Sequence, residues 1–299
     1  MGQGVNRCLP LMLCLAVTGI LGGAENQPFR KLTDIPYAKV AGHDLLLDLY
    51  LPSDRTHPAP LVVFVHGGAW RSGSKQRMPL TGLVRDGFAV ASADYRLSPA
   101  ARFPAQIHDL KAAIRFLRAK QDDYGYDAQR IAIAGTSAGG HLAVLVGVTN
   151  GHERLEGRVG EHLDESSDVQ AIISFYGAGN LLTILRQSTP HGLKVRIPAL
   201  QLLLGGQPED RPELAGLASP LSHVDKTDPA LLLLHGDQDP QMPINQSHEL
   251  HGKYKEYGLP VQFEVVHGAG HGGKKFGEYY DGRRTRLLTT FLDAHIKSK

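Results

Sequence analysis

An α/β fold with a mainly parallel central sheet flanked by helices is predicted by three features of this sequence. Short apolar runs alternate with amphipathic stretches from residue 37 to residue 296. One of those runs, Leu61-Val62-Val63-Phe64-Val65, is apolar without interruption, as a parallel strand covered on both faces requires. The third feature is Gly135-Thr136-Ser137-Ala138-Gly139-Gly140, which stands between the strand-like run Arg130-Ile131-Ala132-Ile133-Ala134 and a helical run opening at His141. In a chain with 34 glycines a Gly-x-Ser-x-Gly is weak evidence by itself. Set between strand and helix it reads as a nucleophile elbow, a strained turn whose neighbours must be small and which leaves the next backbone N–H free.

The elements follow in order. Residues 37–40 and 45–51 read as two strands joined at Gly42-His43, forming an antiparallel edge, and Pro52-Ser53-Asp54 ends the second. After the strand at 61–65 come a loop, a short helix over 80–85 and a strand over 88–93. Residues 107–119 form an amphipathic helix with Ile107, Leu110, Ala113, Ile114 and Leu117 on one stripe and Lys111, Arg115 and Arg118 off it. Beyond the elbow, strands are expected over 169–175, 230–235 and 261–266, with a closing helix over 284–296. The segment 181–221 breaks the rhythm with Pro190, Pro198, Pro208, Pro212 and Pro220 among short apolar stretches. It reads as a small helical insertion over the C-terminal ends of the strands, a lid or pocket wall, with a plain surface excursion as the alternative.

Length and composition suit one large α/β domain spanning 25–299, preceded by a leader over 1–24. That leader has a positive n-region at Arg7, an apolar stretch over 9–21 and the small residues Gly22-Gly23-Ala24, the layout of a secretory signal peptide. An uncleaved N-terminal anchor is the alternative. The expected location is therefore secreted or periplasmic, with no stable membrane span once the leader is cleaved. Both cysteines, Cys8 and Cys14, lie inside it, so a mature chain starting near Glu25 carries neither a disulfide nor a thiolate metal site. Removing Arg7 lowers the formal charge from +2 to +1, and without a basic block nothing points to nucleic acid or an anionic membrane. Oligomeric state is not legible.

A serine nucleophile needs a base, and the base a carboxylate, in the chain order Ser, acid, His on this kind of sheet. After the strand ending at Leu234 stands His235-Gly236-Asp237-Gln238-Asp239, which offers two acids. Asp237 is placed to tie down its own loop and Asp239 to reach across, so Asp239 is favoured. After Val266 stands His267-Gly268-Ala269-Gly270-His271. There His267 is expected to be a buried structural residue, and His271, on a flexible glycine loop, the base for Ser137. Oxyanion stabilisation is expected from the N–H groups of Gly68 and Ala69 in His66-Gly67-Gly68-Ala69-Trp70, and from Ala138. His66 is expected to brace that loop. Trp70 is placed at the pocket mouth, able to stack on an aromatic or sugar ring, with packing under the lid as the alternative. The His-Glu-Leu-His run at 248–251 has the wrong spacing for a zinc motif, and Asp94-Tyr95-Arg96 reads as a structural ion pair. The chemistry calls for no metal and no cofactor.

With these residues assigned, the chain resembles the α/β-hydrolase superfamily. Within it, it is most similar to the bacterial esterases grouped with feruloyl and acetylxylan esterases, and also to the hormone-sensitive-lipase-like esterases. The resemblance rests on His66-Gly67-Gly68-Ala69-Trp70, Asp94-Tyr95-Arg96-Leu97-Ser98-Pro99, Phe103-Pro104-Ala105, Gly135 to Ala143, Ala218-Ser219-Pro220-Leu221, and His235-Gly236-x-x-Asp239-x-x-Pro243. The family's acid occupies the place of Asp239. Ala69 stands where the lipase-like group carries a third glycine, a change that keeps the backbone donor. The resemblance implies a serine carboxylesterase, and with the export expected from the leader it points to short-chain or cell-wall-type acetyl and feruloyl esters, whether small molecules or polysaccharide-linked. Two readings compete with it: an amide-type hydrolase such as an arylformamidase or small peptidase, and a non-catalytic binder on the same scaffold.

Overall fold

The computed structural model describes residues 1–2, 29–54, 56–280 and 285–297. The expected leader and both cysteines lie outside the described residues except for Met1 and Gly2.

Eight strands form one sheet in the order β1-β2-β4-β3-β5-β6-β7-β8. They are β1 (Phe29–Val40), β2 (His43–Pro52), β3 (Ala59–Val65), β4 (Ala89–Ala93), β5 (Tyr126–Thr136), β6 (Ala171–Phe175), β7 (Ala230–Gly236) and β8 (Val261–Val266). β1 pairs antiparallel with β2, and β2 antiparallel with β4; from β4 across to β8 every neighbour is parallel. The helices in chain order are α1 (Thr81–Arg85), α2 (Ala105–Ala119), α3 (Gln121–Tyr124), α4 (Ala138–Gly147), α5 (Glu153–Glu156), α6 (Ile184–Gln187), α7 (Pro190–Leu204), α8 (Pro212–Leu217), α9 (Asn245–Glu256), α10 (Lys274–Tyr280) and α11 (Thr285–Ile296).

β3 explains its own unbroken apolar run. Leu61, Val63 and Val65 join the core shared with α2, α4 and α9, while Val62 and Phe64 join the core on the opposite face with α1, α10 and α11. All five are fully buried. Each such side chain contributes roughly 1.5–3 kcal/mol from area removed from water, so the strand is held from both sides.

α2 departs from the simple amphipathic expectation, because its polar face does not meet solvent. Lys111, Arg115 and Arg118 are buried beneath residues 150–168. Glu156 of α5 accepts from Lys111 Nζ at 2.8 Å and from Arg115 at 2.5 Å, and Arg118 donates to the carbonyls of Ala128, Ser166 and Asp168. Long basic side chains serve here as internal struts, each cation matched to a carboxylate or carbonyl.

The segment 181–221 folds as α6, α7, α8 and a 3-10 turn at Pro220–Ser222. Thr189 caps α7 by accepting from Gly192 N–H at 3.0 Å, and Pro190 fills the first helical position, where a missing N–H costs nothing. α7 rests on loops that follow three parallel strands. Thr189 Oγ1 donates to the Pro240 carbonyl after β7, Phe103 N–H after β4 donates to the Leu203 carbonyl, and Arg196 lies over Trp70 after β3.

Candidate active site

The turn from β5 into α4 places Ser137 at φ 54° and ψ −117°. A non-glycine residue in that region is strained by about 1–3 kcal/mol unless its surroundings hold it. Here Ser137 N–H donates to the Phe175 carbonyl at 2.8 Å, and the Ser137 carbonyl accepts from His141 N–H at 3.0 Å. Gly139 must be small because a Cβ on it would stand 2.1 Å from the Val65 carbonyl oxygen. The close approach of α4 to the end of β3 therefore depends on the glycine of the motif.

Ser137 Oγ lies 2.8 Å from His271 Nε2, and His271 Nδ1 lies 2.7 Å from Asp239 Oδ2. With Asp239 ionised, Nδ1–H donates to the carboxylate and leaves Nε2 free to accept the serine proton. Asp239 Oδ1 accepts the N–H groups of Gln241 and Met242, both at 2.8 Å. Burial works against the Asp239 charge, but contacts with His235 and His271 and the Met242 N–H outweigh it and hold the carboxyl well below the usual range. Ser137, Asp239 and His271, named from the sequence, thus meet in one hydrogen-bonded line. They stand past the C-terminal ends of β5, β7 and β8, which lie at the same edge because those strands are parallel.

The β3–α1 loop meets them from the other side. Gly68 has φ 116°, open only to glycine, and Ala69 and Trp70 follow at 52° and 58°. Gly68 and Ala69 line a cavity of about 310 Å³ together with Ser137 and His271. Ala138 is fully buried at the start of α4. The backbone N–H groups of Gly68, Ala69 and Ala138 have no acceptor among the described residues. Such unspent donors beside a nucleophile suit a developing oxyanion. His66 is buried; its Nδ1–H donates to the Gly67 carbonyl at 2.8 Å and its ring stacks on Tyr95 at 4.4 Å, so it braces this loop. Burial lowers its pKa despite those contacts.

Three expectations are corrected. Trp70 is not at the pocket mouth. It is 0% exposed, donates Nε1–H to His141 Nδ1 at 3.1 Å and packs under α7 with Arg196 5.8 Å from its ring. The positive φ at Trp70 turns the indole inward, where apolar area is buried and its one donor is satisfied. His267 is not buried: its side chain is 85% exposed and pairs with Asp237 at 2.9 Å, while Asp237 also accepts Gly268 N–H. β8 is the edge strand, so the residue after it opens to solvent. Asp94 and Arg96 do not pair with each other. Arg96 makes a two-pronged contact with Asp109 of α2, and Asp94 accepts Lys75 N–H at 2.6 Å. The buried carboxylate of Asp109 takes the Arg96 guanidinium, and the Asp94 carboxylate is spent on a backbone donor of the preceding loop.

Three supporting residues were not anticipated. Tyr176, directly after β6, packs edge-on against His271 with ring centroids 4.7 Å apart and lines the cavity. The residue after any parallel strand shares the edge occupied by Ser137, which is the signal that could have found it. His235 is fully buried, with Nδ1 accepting from Ser247 Oγ at 2.7 Å and Nε2–H directed at the Met242 carbonyl at 3.0 Å and Asp239 at 3.5 Å. It steadies the acid's loop. His141 is fully buried between Trp70 and the Ala218 carbonyl, which fixes its proton on Nε2, and burial pushes its pKa down to about 4. No group of metal-ligating side chains occurs among the described residues.

A strained serine between parallel strand and helix, with its acid and base on later strand ends, defines an α/β-hydrolase. Comparison with known proteins narrows the class. Residues 47–254 match the model of the BD-FAE family, and the chain belongs to that family. It is 35% identical to Esterase LipC of Mycobacterium tuberculosis over 260 residues, covering 85% of this chain and 63% of that protein. The chain thus spans less than two thirds of the length of the curated relatives it matches first. Among solved structures it is similar to a truncated carbohydrate esterase from gut microbiota (31% identity, TM-score 0.77, 90% of this chain and 98% of that one). It is also similar to a bifunctional GH43-CE protein of Bacteroides eggerthii (34% identity, TM-score 0.78, 88% of this chain and 35% of that one).

Proposed function

We propose that this chain is a serine carboxylesterase that hydrolyses short-acyl esters, with acetyl groups carried on sugars as the leading substrate class. The observation that carries the reading is the line Ser137 Oγ–His271–Asp239 beside the free N–H groups of Gly68 and Ala69 in one cavity. In the proposed cycle His271 Nε2 takes the proton as Ser137 Oγ attacks the ester carbonyl carbon. Asp239 holds Nδ1–H and stabilises the imidazolium, and Gly68, Ala69 and Ala138 receive the oxyanion. The tetrahedral intermediate collapses as His271 returns the proton to the leaving alcohol. Water, deprotonated by His271, then releases the acid from the acyl-enzyme. The modest volume of the cavity favours acetyl over long acyl groups, and the carbohydrate-esterase relatives support a sugar on the alcohol side.

Ser137→Ala is expected to lower kcat on p-nitrophenyl acetate by about 10⁴-fold or more with the circular dichroism spectrum unchanged. Full activity in that variant overturns the assignment. A panel of p-nitrophenyl esters of rising chain length, run beside acetylated xylan, methyl ferulate and a matched formamide, tests the substrate class. Export belongs to the same proposal and is supported by the leader-like residues 1–24. It is checked by finding a secreted or periplasmic product whose first residue lies near Glu25.

A further inference from the structure

The wall of the catalytic cavity is unbalanced in charge. Besides Ser137, His271 and the glycine loop, its lining includes Arg71, Arg77, Ser72 and Gln241, and no aspartate or glutamate. Neither arginine has a side-chain hydrogen bond or an ion pair among the described residues. Arg71 is half-buried and Arg77 exposed. Both sit on a loop tied to the oxyanion segment, since the Gly68 carbonyl accepts the N–H groups of Arg71 and Ser72, both at 3.1 Å. Arg71 follows Ala69 by only two residues, so its backbone is anchored beside the oxyanion segment and its side chain lines the same cavity as Ser137.

A third cation lies behind them. Arg196 of α7 is 0% exposed, and among the described residues none of its three guanidinium nitrogens has a hydrogen-bond partner. Burial lowers its pKa to about 10, and the charge of Arg71 lowers it too. Asp239, the acid among the described residues whose charge reaches Arg196, is already engaged by His271 and two backbone N–H groups. Positive charge therefore accumulates on one side of the cavity, and among the described residues no Asp or Glu lines that cavity to answer it. Planar, two-pronged donors of this type are matched to carboxylates.

We propose that the substrate carries a carboxylate close to the scissile ester, received by Arg71 and Arg77 with Arg196 reinforcing the field from beneath. The inference rests on the esterase reading and refines it: the ester bond is broken as described above, and the carboxylate only positions the substrate. Two sources share this chemistry. The charge belongs either to the acyl side, as in a hemiester of a dicarboxylic acid, or to the alcohol side, as in an acetylated uronic acid.

The test compares matched pairs on the full chain: p-nitrophenyl hydrogen succinate against p-nitrophenyl butyrate, and acetylated glucuronic acid against acetylated glucose. In one pair kcat/KM is expected to favour the anionic member by about tenfold or more, the scale of one or two charge-assisted hydrogen bonds. The pair that responds identifies the side that bears the charge. The ratio is expected to shrink towards one in molar salt, a readout that needs no variant, and in the double variant Arg71→Gln/Arg77→Gln. Equal treatment of both pairs by the wild-type protein, or a preference that survives both the salt and the double variant, overturns the inference while activity on p-nitrophenyl butyrate keeps the esterase reading intact. Failure to cleave any member of either pair overturns both.

Discussion

Asp239 is the residue on which the candidate site is most narrowly balanced, because one carboxylate serves a histidine on each side and two backbone N–H groups. Asp239→Asn is expected to keep the fold but to lower kcat by about 10⁴-fold, since an amide can present its N–H to His271 and favour the wrong tautomer. A kcat within tenfold of wild type removes Asp239 from the triad. The choice of Asp239 over Asp237, and of His271 over His267, was legible because loop position after a parallel strand limits reach. The surroundings of the rejected residues were not. His267 was expected inside and lies outside, and Trp70 the reverse, because exposure at a strand end depends on which strand is the edge and on what the intervening helices cover. Arg96 shows the same limit: its partner Asp109 is thirteen residues away on α2, while the neighbouring Asp94 points elsewhere.

At the scale of elements, α2 shows what pattern alone misses. Its apolar stripe was legible, and the pattern placed Lys111, Arg115 and Arg118 off that stripe without saying what they meet. In the structure that face is closed by α5 and the chain that follows, with one oxygen of Glu156 paired to Lys111 and the other to Arg115. Replacing Glu156 by Ala strands two buried cations, and the expected loss is about 3 kcal/mol of unfolding free energy, measured by urea titration. A loss below about 0.5 kcal/mol, the usual effect of a surface substitution, means that the face is solvated after all. α7 belongs to the same lesson. Its prolines and turn residues announced a helical excursion, but the sequence offered no sign that its Arg196 would come to rest over Trp70 without a hydrogen-bond partner.

The whole molecule should be sensitive to mild acid. Burial lowers the pKa of His141, to about 4, and also those of His66 and His223, whereas in the unfolded chain a histidine titrates near 6.5. As pH falls from about 6.5 towards 4 the unfolded chain takes up protons that the native state refuses, so stability present above 6.5 is lost across that window. His141 alone accounts for up to about 3 kcal/mol, its shift multiplied by 1.36 kcal/mol per unit. At still lower pH the carboxylates of Asp48, Glu156 and Asp239, whose pKa values lie below normal in the fold, lose their contribution in turn. Denaturation midpoints recorded from about pH 7 to pH 4 are expected to fall steadily, and a flat profile would contradict the buried neutral state of His141.

By itself the sequence determined the alternation of strand and helix, the elbow at Ser137, the glycine loop after β3 and the placing of Asp239 and His271 after later strands. Each of these is written in local terms: hydrophobic period, turn chemistry and small residues where the chain must approach itself. Only the tertiary structure decided which groups share a space. It brought Tyr176 and His235 to the triad, drew Trp70 under α7 and left Arg71 and Arg77 facing the cavity without an acid. Those outcomes depend on sheet order and on the covering of strand ends, which are set by contacts between residues far apart in the chain.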